Sequence, residues 1–348
     1  MNPRLHLRLA ALLLLAAPAV PGFAWDYEGH RIINQLALAG LPADFPAFAR
    51  TPEAVARIAF LAGEPDRWRN SPNLSLQNNN DPNHYLDLEQ LGWAGLNPAT
   101  VSPLRYTFAL QFAAGRAAHA QIFPTINPDK DADGTREWPG FLPWQITEDT
   151  GRLASAFAYL RAYEQGGGTA EEIANAQANI IDMMGVMGHY VGDGSQPLHV
   201  TVHHHGWVGE NPHGYTTDPR FHAWIDGGFI ARADIRFASL APQARAAAVV
   251  GAGGGRDALF RAVMNYLVAQ NQRVEPLYEL AKEGKLKADG SPGSFDGKGF
   301  IEEQLLRGGQ MLGSLWLTAW RTAPTDHYLL DELARRAAAA PAAPAAAK

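Results

Sequence analysis

The chain contains no cysteine. That excludes disulfide staples, thiolate zinc sites, iron–sulfur clusters and a cysteine nucleophile. Any bound metal must use imidazole, carboxylate or backbone atoms. Several hydrolase and phosphate signatures are missing too. There is no Gly-x-Ser-x-Gly elbow, no phosphate-cradling Gly-Lys-Ser/Thr loop and no His-Glu-x-x-His pair. Gly251 to Gly255 lacks the last glycine of a dinucleotide fingerprint and any preceding strand, and reads as a linker. Basic residues are in the minority, 29 against 35 acidic. This is a poor basis for holding long duplex DNA, although a metal cluster could reverse the sign at a pocket.

Long apolar runs are also scarce. The one run, Leu9 to Val20, follows Arg4 and Arg8 and is too short to span a bilayer comfortably. Pro21, Gly22, Phe23 and Ala24 then supply a breaker and small residues. This is the pattern of a signal peptide over 1–24, cleaved after Ala24 to leave Trp25 as a free amino terminus. Without Arg4 and Arg8 the mature chain has 27 basic against 35 acidic residues, about −8. The expected location is the periplasm or the medium, with no transmembrane segment in the mature chain.

At 47% hydrophobic residues the remainder is long enough for a large core. Apolar periodicity predicts helices over 25–40, 54–61, 103–123, 146–163, 170–192, 221–233, 257–282 and 300–321. Residues 70–83, rich in Asn, Ser and Pro, read as a loop, as do 124–144 and 199–220. No repeat and no alternating strand pattern is present. The expectation is a single all-α domain over 25–336, with long loops that metal ligation would order. Residues 337–348 read as a disordered Ala/Pro tail.

The chemistry concentrates between His189 and Asp226. His189 and Asp193 are four apart, on one face of a helix, and His222 and Asp226 repeat the spacing. His199 lies between, after the turn-forming Gly194-Ser195-Gln196-Pro197. Two such pairs and a third histidine suit a divalent metal, zinc above all. A lone His-Asp pair is more often a solvated helix pair or a core histidine. In the N-terminal half, Trp25-Asp26-Tyr27-Glu28-Gly29-His30, Asp66-Arg67-Trp68-Arg69 and His84-Tyr85-Leu86-Asp87 add further candidates.

In these motifs the chain resembles the zinc-dependent single-strand nucleases of fungi and plants, the S-one/P-one family. It is similar, more distantly, to the bacterial zinc phospholipases C that share their fold. The resemblance runs from Trp25 to about Asp226. It implies three zinc ions. Asp66, His84, His189 and Asp193 would hold one; His199, His222 and Asp226 a second. The amino group and carbonyl oxygen of Trp25, with His30 and a bridging Asp193, would hold the third.

The same resemblance implies a phosphodiesterase that cuts single-stranded RNA or DNA to 5′-nucleotides, with 3′-nucleotidase activity in addition. Asp66 would aim the attacking water, and Arg69 would reach phosphate oxygens or orient Asp66. Tyr85 would stack on a nucleobase and Asp87 accept from its N–H groups. The alternatives are a phospholipase C acting on phospholipid headgroup esters and an inert zinc-binding protein. A monomer is expected. The chain departs from the family in having no disulfide, in Gly227 after Asp226, and in His203-His204-His205-Gly206-Trp207. Those histidines read as exposed loop residues, with phosphate or metal binding as the other possibility. Asp129 to Gly134 copies half of a calcium loop, but Gly140 stands where its glutamate belongs, and a solvated turn is expected.

Overall fold

Helical periodicity without alternating runs leaves helix-on-helix packing as the way to build a core. The computed structural model describes residues 25–251, 253–255 and 257–339; the leader predicted over 1–24 lies outside them. Among the described residues there is no strand, and one large apolar cluster joins helices from both ends of the chain. No described helix is long and apolar enough to cross a membrane.

The helices are α1 (Tyr27–Gly40), α2 (Pro52–Leu61), α3 (Glu64–Arg69), α4 (Leu74–Asn80), α5 (Leu88–Trp93), α6 (Arg105–Ala118), α7 (Leu142–Gly166) and α8 (Ala170–Asp193). They continue with α9 (Phe221–Ala223), α10 (Phe229–Arg232), α11 (Phe237–Leu240), α12 (Ala258–Asn271), α13 (Val274–Lys282), α14 (Lys298–Thr322) and α15 (His327–Ala339). Helix α8 is central and packs against α1, α2, α3, α7 and α14. Small residues permit the approach. A Cβ at Gly185 would stand 2.5 Å from Leu61 Cβ, and one at Gly188 would collide with the Asn34 side chain. Asn34 uses that space to donate to the carbonyls of Ile58 at 2.8 Å and Gly185 at 3.1 Å, tying α1, α2 and α8 together.

The α7–α8 turn shows why the chain reverses there. Gly167 ends α7 at φ 82°, a left-handed conformation that suits glycine. Thr169 and Glu172 then close a capping box at the start of α8. This hairpin aims the C-terminal end of α8, with His189 and Asp193, into the interior.

Three expectations need correction. Residues 70–83 are not simply a loop: they include α4 and run into a 3-10 turn, Asp81–His84. Asn73 caps Leu76 N–H at 3.1 Å, and Asn79 and Asn80 donate back to the carbonyls of Ser75 and Leu76 at 2.9 and 2.8 Å. Side-chain amides build that helix, so it has no apolar stripe to detect. Within 257–282 the chain breaks between α12 and α13, where Arg273 N–H turns back to Gln270 O at 2.8 Å. Of the tail expected to be disordered over 337–348, residues 337–339 continue α15 as helix, and the rest lies outside the described residues. Leu329 and Leu333 anchor α15 against Ala162 of α7, and alanine favours continuation.

Asp149 of α7 gives a stability test away from the candidate site. It is buried, accepts from Gln145 Nε2 at 3.0 Å on both oxygens, and is pushed up to about 6 by burial. An acid whose native pKa lies above its unfolded value costs native stability as pH rises through that interval. The Asp149→Asn protein should therefore be more stable at about pH 8, by roughly 3 kcal/mol, with the gain gone at about pH 4. Thermal melts at the two pH values read the difference; an equal shift at both would contradict it.

Candidate metal centre

The predicted ligands come from six parts of the chain, and local structure brings each inward. His30 lies in the first turn of α1, where its N–H reaches Asp26 O at 3.3 Å. Asp66 sits in the short α3, and His84 closes the 3-10 turn after α4. His189 and Asp193 share one face of the last turn of α8. Past α8 the chain turns tightly, with Gln196 N–H on Asp193 O at 2.9 Å, and a second 3-10 turn, Pro197–His199, presents His199. His222 is in α9 and Asp226 in the π-helical turn Trp224–Gly228 that follows. A widened turn of this kind is frequent at functional sites.

These residues meet. Asp193 is fully buried at the centre, with His84 Nδ1 at 3.0 Å, His30 Nε2 at 3.4 Å, His189 Nε2 at 3.5 Å and His199 Nδ1 at 3.9 Å from its oxygens. His189 Nε2 also lies 3.0 Å from His84 Nδ1 and 3.7 Å from Asp66 Oδ1. His222 Nε2 is 3.1 Å from Asp226 Oδ2, and the His222 ring stands edge-on to His199 at 4.8 Å. Three groups have ligand atoms within 4.8 Å of one another: His84, His189 and Asp193; His199, His222 and Asp226; His30, Asp66 and His189. The second contains the three residues expected around one ion, and the first contains three of the four expected around another, without Asp66. In the third, His30 joins Asp66 and His189, while its 3.4 Å approach to Asp193 keeps the expected neighbour too.

Trp25 is fully buried beside this cluster. Its indole donates to Ser195 Oγ at 3.0 Å, and the next amide, Asp26 N–H, donates to Asp226 O at 3.2 Å. Gly227 matters here: a Cβ on it would collide with the Asp26 carboxylate, so the position without a side chain is filled by Asp26.

The donor set fits a divalent cation. His189 Nδ1 lies 2.7 Å from Ala62 O and His199 Nδ1 2.7 Å from His84 O. A carbonyl only accepts, so each Nδ1 carries the proton and each Nε2 keeps a lone pair for ligation. Buried His199 Nε2 and His84 Nε2 have no hydrogen-bond partner among the described residues. Burial pushes Asp193 and Asp226 well above the usual carboxylate range, and raises Asp66 to about 6 against the pull of Arg69. It also holds His84, His189, His199 and His222 well below the usual histidine value. Burial thus keeps these imidazoles neutral, the form that ligates a metal, while Arg69 pulls the carboxylates toward ionisation.

Around the ligands, Arg69 Nε pairs with Asp66 Oδ1 at 2.9 Å and reaches toward Asp81 at 3.8 Å. Gln196 Nε2 donates to Asp226 Oδ1. Tyr85 is half-buried, while Asp87 is buried with Oδ2 accepting from Gln90 Nε2 at 2.8 Å and Oδ1 facing His204 Nδ1 at 3.7 Å. Neither belongs to the three ligand groups. The loop histidines are not uniformly exposed as expected. His203 and His204 are half-buried, with His203 stacked on Trp207 at 3.8 Å, and only His205 is exposed. His205 and His204 approach the His222 ring at 5.3 and 6.5 Å. In the Asp129 to Gly134 turn, Asp131 accepts from Arg136 N–H and Asp133 from the Thr135 hydroxyl, both at 3.0 Å. A groove of about 530 Å³ between α2 and α8, lined by Thr51, Arg57, Asp182 and Met183, holds none of the converging residues. The cluster, not that hollow, marks the site.

Sequence reasoning missed Gln196 as an orienting group, Ser195 as the partner of Trp25, and the carbonyls of Ala62 and His84. The run Gly194-Ser195-Gln196-Pro197 pointed to the first two; carbonyls leave no trace in residue identity. No protein-family model matches the chain, and the search of curated proteins finds no match.

Proposed function

We propose that the protein is an exported zinc-dependent phosphodiesterase of the single-strand nuclease type, with 3′-nucleotidase activity as a second reaction. The observation that carries this is the joining of three His/Asp groups through His189 and Asp193, with the Asp66–Arg69 pair at their edge. A set of nitrogen and carboxylate donors without thiolate suits zinc. Three ions are proposed. Asp66, His84, His189 and Asp193 take one; His199, His222 and Asp226 another; Trp25 through its amine and carbonyl, His30 and Asp193 the third. Bound zinc supplies activation of water near neutral pH and stabilisation of negative charge developing on phosphate oxygens.

The protein's own groups do the positioning. Asp66, held by Arg69 Nε, accepts a hydrogen bond from the attacking water and aims it in line with the leaving oxygen. The remaining guanidinium N–H groups of Arg69 are suited to phosphate oxygens. Tyr85 offers a ring for base stacking, and Asp87 Oδ1 accepts from a base N–H while Gln90 fixes the other oxygen.

Zinc-loaded protein offered single-stranded RNA, single-stranded DNA and a lecithin dispersion should release 5′-nucleotides, and a chelator should stop it. Phosphocholine without nucleotides would replace this reading with the phospholipase one. Inertness of the wild type on all three, with zinc retained in Asp66→Asn, would leave a zinc-binding protein.

A further inference from the structure

Helix α6 buries Phe108 and Phe112 against Trp144, Phe141 and Phe123. Its opposite face is apolar as well. Tyr106 is 84% exposed and Leu110 75%, with exposed Ala113, Ala114 and Ala117 continuing the row. Leu104, just before the helix, is 66% exposed. A surface helix of a soluble domain ordinarily carries charge there. This face carries none.

Its electrostatic setting is distinctive. The chain has a formal net charge of −6, yet residues 90–128 include no aspartate or glutamate. Arg105 and Arg116, both half-buried, border the apolar row on one side, their guanidinium groups over the Phe141 and Phe123 rings at 5.0 and 4.5 Å. Alongside the C-terminal half of α6 runs a groove of about 490 Å³, lined by Phe112, Ala117, Ile126 and Trp138 together with Arg116 and Glu137.

The dimensions bear on what could cover the face. Fourteen residues of helix span about 21 Å, and a strip about 10 Å wide offers about 200 Å². A stable interface between two copies needs about 800 Å² from each. A lipid surface sets no such minimum, since an apolar helix face flanked by cations sinks into the boundary between headgroups and acyl chains. We propose that α6 is an interfacial docking helix for an anionic lipid surface. Tyr106 and Leu110 enter the bilayer boundary, and the groove beside them receives an acyl chain. Arg105 donates to Asn83, the residue before His84, so docking would hold the candidate metal centre near the membrane. The proposal does not depend on the phosphodiesterase reading.

The test is co-sedimentation of the purified protein with vesicles of phosphatidylcholine, with and without phosphatidylserine. Binding should be stronger to the phosphatidylserine vesicles and should fall roughly tenfold in Leu110→Glu and in Tyr106→Glu. Both side chains are exposed, so melting temperatures should not change. Equal partitioning of wild type and variants would overturn the proposal, as would equal binding to both vesicle types. So would light scattering that shows a wild-type dimer split by Leu110→Glu, which would assign the face to a second copy.

Discussion

Asp193→Asn protein is expected to lose at least one equivalent of zinc and to hydrolyse phosphodiesters roughly 10³-fold more slowly. Asp193 is the carboxylate around which His30, His84, His189 and His199 gather, and in the proposed assignment it is shared between two ions. Asparagine keeps the shape and removes the charge. The stability effect should have the opposite sign in metal-free protein. Burial already pushes Asp193 well above the usual carboxylate range, so ionising it without a cation costs native stability. After chelation the variant should melt at the same temperature as wild type or higher. On adding zinc, wild type should gain several degrees more than the variant. Metal analysis with paired melts reads both effects. Full zinc content together with an unchanged thermal shift would show that Asp193 only braces histidines.

The same chemistry sets a pH dependence for the zinc-induced stabilisation. Ligands must be deprotonated to bind, so protons compete as pH falls below the ordinary histidine range. The zinc-dependent gain in melting temperature should be larger at about pH 8 than at about pH 5. A gain independent of pH would argue against imidazole ligation.

Much of this centre was legible in the sequence because helical periodicity does the placing. His189 with Asp193, and His222 with Asp226, had to share faces if their segments were helical, and the apolar stripe of α8 made that expectation firm for the first pair. The second pair survives although its turn is π rather than α, because His222 and Asp226 still meet at 3.1 Å. Long-range convergence is a different matter. That His84 approaches Asp193 at 3.0 Å follows from α4 and its 3-10 turn, which are built by asparagine side chains and have no apolar period. That His30 sits with Asp66 and His189 follows from the packing of α1, α3 and α8, where Asn34 and the glycines of α8 set the spacing. The family resemblance supplied expectations for these positions that spacing alone could not. The carbonyls that fix the tautomers of His189 and His199 were beyond both, since any residue carries one.

Protein made with one residue retained before Trp25 is expected to lose a zinc equivalent and at least about 100-fold in activity relative to protein that begins at Trp25. A free α-amino group has a reference pKa of about 8, some two units below lysine, and gives up its proton to a metal comparatively easily. Joined to a preceding residue, the same nitrogen becomes an amide without a usable lone pair. The surroundings leave little room for compensation. Trp25 is fully buried, its indole is tied to Ser195 and the Asp26 amide to Asp226, so the residue is held by its side chain and by the peptide that follows it. Trp25→Phe in protein starting at position 25 is the control. It removes the indole hydrogen bond, worth about 1 kcal/mol, but keeps the amine, and should keep its zinc. If the extended protein binds as much zinc and turns over as fast as the trimmed one, the amino terminus is no ligand. If it falls short while Trp25→Phe does not, the deficit belongs to the amine rather than to packing.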